Sequence, residues 1–310
     1  MTATSSNKNV HCKCCSNNEY KILATLHNAF IARCSNCNLT FVIKGSDIFS
    51  DEDYFQTYDL DKYVEYYQEF RNRLFKRHLH IIGQLVPKGA ILDVGCSFGW
   101  FLKIARDFGW RPFGIERSEE ISKLTRQTYN LNVLCGDVES ANRFNTSFQV
   151  ITLWNVLEHI AEPVNALKFL YNELTPGGLL VISVPNVNGL FSRIAFWSYK
   201  ASWGKFKFPL EQLYQTNTPN MHLFHFSVET LGLILTKCDF EVIKVVKQQV
   251  IESRKIHDRI DMDKSLKFRS PFLKSLLISG TKLLFYLSKI TNLHDEIVIY
   301  AKKSSSVSKQ

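Results

Sequence analysis

Between residues 90 and 248 short apolar runs alternate with segments whose apolar positions follow helical spacing. ILDVG (91–95), RPFGIE (111–116), NVLCGD (132–137), FQVITLWN (148–155), LLVISVPN (179–186) and FEVIKVVKQ (240–248) have the length and the branched or aromatic content of strands. Between them, Trp100 to Phe108, Ser118 to Tyr129, Pro163 to Leu174 and Ser227 to Cys238 read as helices. Ser118 and Ser227 stand where a hydroxyl can accept an orphan N–H of the first turn. Pro176-Gly177-Gly178 marks a turn. A basic helical stretch, Tyr67 to Leu85, precedes this region and stops before Pro87. EIVIYAKK (296–303) is a last strand. Strands alternating with helices imply an α/β fold, a mostly parallel sheet with helices on both faces.

The flanks break this rhythm. Residues 10–45 hold two cysteine pairs among short β-like runs, and 46–74 form a connector rich in Asp, Glu and Tyr. The α/β pattern occupies 75–248 and is interrupted at 187–221, where Phe, Trp and Tyr interleave with Arg and Lys; a segment after the fifth strand there is placed to act as a lid. Residues 249–303 carry a basic, apolar helical stretch (264–290) before the last strand, and 1–9 and 304–310 have the composition of disordered tails.

The 310 residues are 45% hydrophobic and 22% charged, enough for a sizeable core. The net charge of +9 suits an anionic partner but is also carried by many enzymes that have none. The first residues lack the apolar core of a signal peptide, and no apolar run reaches the ~18 residues of a membrane span. The expectation is a cytoplasmic chain with reduced thiols. Peripheral membrane contact through 264–290 is the alternative to simple packing of that helix.

Asp93-Val94-Gly95-Cys96-Ser97-Phe98-Gly99 lies directly between a strand and a helix. Small residues there permit a tight turn, and the helix start presents N–H groups to an anionic ligand. Glu116 closes the next strand, where an acid can accept hydrogen bonds from ribose. The G-x-G-x-x-G of a dinucleotide site is missing. The loop instead resembles the D-x-G-x-G-x-G motif of class I S-adenosylmethionine-dependent methyltransferases, with Ser97 in place of the middle glycine. Gly136-Asp137, Trp154-Asn155, VLEHI (156–160), PGG (176–178) and VPN (184–186) extend the resemblance over about 75–248.

The resemblance implies a Rossmann-like sheet of seven strands with EIVIYAKK as an antiparallel edge strand, and S-adenosylmethionine as cofactor. Asp93 would support the loop and reach the methionine amine, directly or through water. Gly95, Cys96, Ser97 and Gly99 would admit the methionine portion, Glu116 would bind ribose, Asp137 and the Val138 amide would meet adenine, and Trp154-Asn155 would border the methyl donor.

A hydroxyl acceptor needs a base, and His159, His222 and His225 are the candidates. Some O-methyltransferases of the resembled class bind a divalent metal with E-x-x-E-H. Here the first acid is Asn155, which argues against a catalytic metal. Cys12 and Cys15, then Cys34 and Cys37, have zinc-ribbon spacing, and structural zinc is expected there, with Cys14 a bystander. An N-terminal module of paired cysteines resembles that of sugar-modifying methyltransferases. The expected acceptor is a small molecule or glycan. Nucleic acid is disfavoured because no N-P-P-[YF] follows the fourth strand; a scaffold that binds cofactor without turnover and a membrane-associated lipid methyltransferase are the other rivals.

Overall fold

The computed structural model describes residues 4–6, 10–44, 60–218, 220–249, 257 and 270–303. Of the expected 1–9 and 304–310 tails, 1–3, 7–9 and 304–310 lie outside the described residues, as do 46–59 of the connector and most of 250–269; Thr4–Ser6 forms a strand where a tail was expected, and 60–74 of the connector lies in a helix.

In chain order the elements are β1 (Thr4–Ser6), β2 (Glu19–Thr25), β3 (Ala29–Cys34), β4 (Thr40–Lys44), α1 (Leu60–Leu85), β5 (Ala90–Val94), α2 (Trp100–Asp107), β6 (Arg111–Glu116), α3 (Glu119–Tyr129) and β7 (Asn132–Cys135). A 3-10 helix (Val138–Phe144), β8 (Phe148–Trp154), a 3-10 turn (Leu157–His159), α4 (Pro163–Glu173) and β9 (Leu174–Pro185) follow. The chain continues through α5 (Leu190–Ala201), α6 (Phe208–Tyr214), β10 (Phe224–His225), α7 (Val228–Lys237), β11 (Phe240–Gln248), α8 (Pro271–Ile290) and β12 (Glu296–Lys303).

These elements divide into two compact units. One comprises the described parts of Arg71–Val184, Val228–Val246 and Val298–Gln310; the other, those of Met1–Phe70, Pro185–Ser227 and Lys247–Ile297.

The first is built on a seven-stranded sheet in the order β11-β12-β9-β8-β5-β6-β7. β6 and β8 flank β5 in parallel, β7 runs parallel to β6, and β9 to β8. All five residues of β5 are buried, as a strand covered on both faces requires. The strand order reverses about β5, and the crevice outside the carboxyl ends of the strands at such a point is where open α/β sheets bind ligands. The edge position expected for EIVIYAKK is corrected: β12 lies between β11 and β9. Its first six residues are buried, whereas most of β11 faces solvent, so β11 is the edge. β12 is apolar on both faces, and only an interior place buries both.

The second unit, the ribbon unit, is built on a five-stranded sheet, β1-β2-β3-β4-β10, antiparallel throughout. Its last strand comes from far along the chain: Phe224 pairs with Phe41 and His225 with Thr40. Ala24, Leu26 and Ile31 share a core with Ala195 of α5 and with Leu210 and Tyr214 of α6. The Tyr199 hydroxyl accepts the Thr25 N–H at 2.9 Å, and Glu211 meets His27 Nδ1 at 2.5 Å. The cysteine module of 10–45 and the segment 187–221, separate in the sequence reading, thus belong to one body. About 35 residues cannot close a core alone, and the apolar faces of α5 and α6 complete it.

Candidate functional site

The glycine loop is fixed at both ends by backbone. Gly95 and Cys96 donate to the Ile115 carbonyl of β6 at 2.8 and 2.9 Å, and Gly99 donates to Cys96 at 2.9 Å. Gly95 and Gly99 both have φ of +71°. A Cβ on Gly95 would stand 2.5 Å from Val156 Cγ2, and one on Gly99 would stand 2.4 Å from Thr125 Cγ2. Both glycines are therefore demanded twice, by conformation and by space. Ser97, at the departure from the motif, also sits in the left-handed region (φ +47°), and its carbonyl accepts the Thr125 hydroxyl at 2.8 Å.

Glu116 ties this loop to the next helix. One of its oxygens accepts the Ser97 N–H at 2.9 Å and the other the Ser118 N–H at 3.0 Å. Burial raises its carboxyl above the ordinary range, while the amides of Ser118, Ser97 and Arg117 pull it back. Its own carbonyl accepts the Gly136 N–H at 3.0 Å, which joins the β6 end to the β7 end. Asp137, after β7, pairs with Arg117 at 3.0 Å; both are exposed, so the pair contributes little stability. Val138 is buried at the start of the 3-10 helix.

Asp93 is fully enclosed in β5. The Thr152 hydroxyl of β8, its register partner, donates to it at 2.6 Å. Burial raises the Asp93 carboxyl from 3.8 to about 8, against the opposing pull of Thr152 and Arg71. Between those two values the folded chain holds a proton that the unfolded chain has lost. Stability is therefore expected to fall as pH rises through that window and to level off above about 8. Thermal melts across the window test this, and Asp93→Asn is expected to flatten the slope; an unchanged slope in that variant would assign the titration elsewhere.

Trp154 ends β8 with its ring in an aromatic cluster, 5.4 Å from Phe75, 5.0 Å from His78 and 5.4 Å from Phe101. Its indole N–H is buried with no hydrogen-bond partner among the described residues. Asn155 adopts φ of +57° and donates its N–H to Ser183 at 2.9 Å, which turns the chain sharply after the strand. Cys96 is buried, and burial holds its thiol well above the ordinary value, so it is no nucleophile. His159 ends the 3-10 turn, and its N–H donates to Val156 at 3.0 Å.

His222 and His225 belong to the ribbon unit. His222 Nδ1 and His225 Nε2 are 3.2 Å apart, and the Tyr214 ring stacks on His225 at 3.8 Å. The structure brings these two histidines together as the i, i+3 spacing allowed.

The Sγ atoms of Cys12, Cys15, Cys34 and Cys37 lie within 4.8 Å of one another, and none is in a disulfide. The two turns that carry them repeat the same geometry. Cys12 N–H donates to Asn17, Ser16 N–H donates back to Cys12, and Ser16 has φ of +59°. Correspondingly, Cys34 N–H donates to Leu39, Asn38 N–H donates back to Cys34, and Asn38 has φ of +61°. A tetrahedron with Zn–S near 2.3 Å places its sulfurs roughly 3.8 Å apart. The pairs at 3.4 Å (Cys12, Cys37) and 3.5 Å (Cys15, Cys34) are close to that spacing. Contact with Cys37 and burial raise the Cys12 thiol, and burial raises that of Cys34. Such a cluster favours a cation that can take the thiols as thiolates. Cys14 stands outside this set of four.

Thr152, Thr125, Arg117 and Val156 were not legible as site residues. Each acts on Asp93, Ser97, Asp137 or Gly95 across the fold, and no spacing in the sequence records those pairings.

A family model for a methyltransferase domain matches residues 65–245, more than half of the chain. The chain belongs to this family, and the matched region is an S-adenosylmethionine-dependent methyltransferase domain. It is similar to the ubiquinone biosynthesis O-methyltransferase of Coxiella burnetii, at 29% identity over 146 residues, covering 42% of this chain and 62% of the relative. It is also similar to the tRNA U34 carboxymethyltransferase of Desulfotalea psychrophila, at 27% identity, covering 44% of this chain and 43% of the relative. The match thus spans less than two thirds of the length of these curated relatives. Among solved structures, a methyltransferase of Archaeoglobus fulgidus aligns with a TM-score of 0.50 at 20% identity, over 76% of this chain and 94% of that one. Phosphoethanolamine N-methyltransferase 2 of Haemonchus contortus, in complex with S-adenosyl-L-methionine, aligns with a TM-score of 0.53 at 16% identity, over 86% and 62%. These structural likenesses show the fold.

Proposed function

We propose that the protein transfers a methyl group from S-adenosylmethionine to a hydroxyl of a small or carrier-linked acceptor, with a sugar, glycan or metabolite as the acceptor class. The observation that carries this reading is the Asp93, Gly95, Gly99 and Glu116 arrangement at the carboxyl ends of β5 and β6. The left-handed backbone at Gly95, Ser97 and Gly99 turns the loop past the strand end, where a methionine portion would lie, and a carboxylate held by two amides retains lone pairs for ribose hydroxyls. Asp137 and Val138 would meet the adenine, and Asp93 the methionine amine. The cofactor supplies an electrophilic methyl on a sulfonium; the acceptor oxygen forms a bond to that carbon as the sulfur–carbon bond breaks. One of His159, His222 and His225 takes up the hydroxyl proton.

Cys12, Cys15, Cys34 and Cys37 would hold one zinc ion in a structural role, since four protein thiolates leave no open position for substrate. The likeness to an enzyme named for ubiquinone biosynthesis O-methylation favours an oxygen acceptor. A second reading, RNA as acceptor, draws on the tRNA-modifying relative and the net charge of +9.

Calorimetric titration with S-adenosylmethionine, S-adenosylhomocysteine and NAD tests the first step. Binding of the first two without the third is expected, and no binding of either overturns the reading. With an acceptor in hand, one His→Ala variant among the three is expected to lose roughly 10²–10⁴ in kcat. Full turnover by all three variants would remove histidine base catalysis. Methyl transfer to tRNA and none to small hydroxylic acceptors would favour the second reading.

A further inference from the structure

The helix α8 buries one stripe and leaves another bare. Ile278, Phe285 and Ser288 are buried within the ribbon unit, and Phe285 packs on Phe191 of α5 at 5.1 Å. Phe272, Leu276, Leu283, Tyr286 and Ile290 are 74, 60, 58, 64 and 64% exposed. Their spacing of four, seven, three and four residues follows the helical period, so they form one line opposite the buried stripe. A helix normally turns polar residues to water on that side.

The charge on α8 has one sign. Lys274, Lys282 and Lys289 are its only charged residues, and it carries no Asp or Glu. A second element of the same unit has the same composition. In α5 and the turn after it, Trp197, Trp203 and Phe206 are 70, 92 and 51% exposed. Arg193, Lys200 and Lys205 are exposed beside them, and residues 190–208 hold no acid. Exposed Trp, Phe, Tyr and Leu interleaved with unopposed Lys and Arg match the interfacial region of a bilayer that carries negative charge. A soluble protein partner that covered the stripe would need no such one-sided charge. No helix among the described residues is long and apolar enough to cross a membrane, so α8 would lie along a surface.

We infer that the ribbon unit docks on an anionic lipid surface, with the exposed stripe of α8 inserted among the acyl chains and Lys282 and Lys289, with Arg193 and Lys200 of α5, on the headgroups. The inference is independent of the methyl-transfer reading, and its test involves no turnover.

Flotation of the full chain is measured with phosphatidylcholine vesicles and with vesicles containing phosphatidylserine. Binding is expected only to the second, weakening as salt is raised. Each lysine neutralised in Lys282→Ala and Lys289→Ala is expected to weaken partition about fivefold at low salt. The triple variant Phe272→Ser, Leu283→Ser, Ile290→Ser is expected to lose binding by more than a hundredfold. All three side chains are exposed, so its melting temperature should match the parent; should it fail to fold, the lysine variants still decide. Absence of flotation with phosphatidylserine vesicles overturns the inference. So does a concentration-dependent dimer that the lysine or stripe variants dissociate, because the stripe would then be covered by a second copy.

Discussion

With zinc held by the four cysteines as proposed, replacing Cys34 with serine is expected to release the ion and unfold the ribbon unit. Cys34 is the last residue of β3, paired in register with Tyr20 of β2, and its carbonyl and N–H hold the second knuckle closed. A serine hydroxyl is a poor zinc ligand, so three thiolates would remain. Zinc binding to such sites contributes on the order of 10–16 kcal/mol, more than the whole stability of most domains. One apolar cluster of this unit joins Ala24, Leu26 and Ile31 to Ala195, Leu210 and Tyr214, so the cysteine-bearing strands and the α5–α6 segment share packing. Losing the staple is therefore expected to expose 10–44 and the α5–α6 segment to proteolysis together. Metal content by atomic emission and the pattern of protease cuts check this. One equivalent of zinc retained in the variant would remove Cys34 from the ligand set.

That joint behaviour could not be read from the sequence. The cysteine spacing announced two knuckles, because C-x2-C twice is a local signal. The core that Ile31 shares with Tyr214, and the pairing of Phe41 with Phe224, join residues far apart in the chain, and neither leaves a periodic trace. A two-residue strand such as β10 has no pattern at all. The main sheet was legible for the opposite reason. Its parallel strands are short apolar runs bounded by turns, so their order along the chain was plain. β12 shows the limit: EIVIYAKK reads as a strand, but its position between β11 and β9 depends on which neighbours cover it.

The glycine loop was legible by residue type and position, and its mechanics were not. Gly95 and Gly99 announced themselves, yet the reason each is required lies in Val156 and Thr125. Asp93 was singled out from the motif; that it is held by Thr152 follows from strand register, which no local spacing encodes.

The same distinction governs Glu116, where the second large effect is expected. Glu116→Ala would remove more than the ribose contact proposed for it. It leaves the N–H groups of Ser97 and Ser118 without the carboxylate that accepts both. Both donors are partly buried, so each one orphaned costs at most about 1–3 kcal/mol, and the loop and the start of α3 lose their common anchor. Affinity for S-adenosylmethionine is expected to fall by more than a hundredfold. Glu116→Gln separates the two contributions, since it keeps the shape and one acceptor oxygen. Its amide nitrogen would face a backbone N–H at the position where the second carboxylate oxygen accepts now, and two donors repel. Glutamine is therefore expected to lose at least tenfold in affinity, lying between alanine and the parent. Acid has the same effect by the same route: burial has already raised the carboxyl, and protonation gives it a donor where an acceptor is needed. Calorimetric affinity is then expected to weaken as pH falls through the acidic range in the parent and to be flat there in Glu116→Gln. Parent-like affinity in the glutamine variant at neutral pH would show that charge and double acceptance at residue 116 are dispensable, and would move the ribose anchor elsewhere.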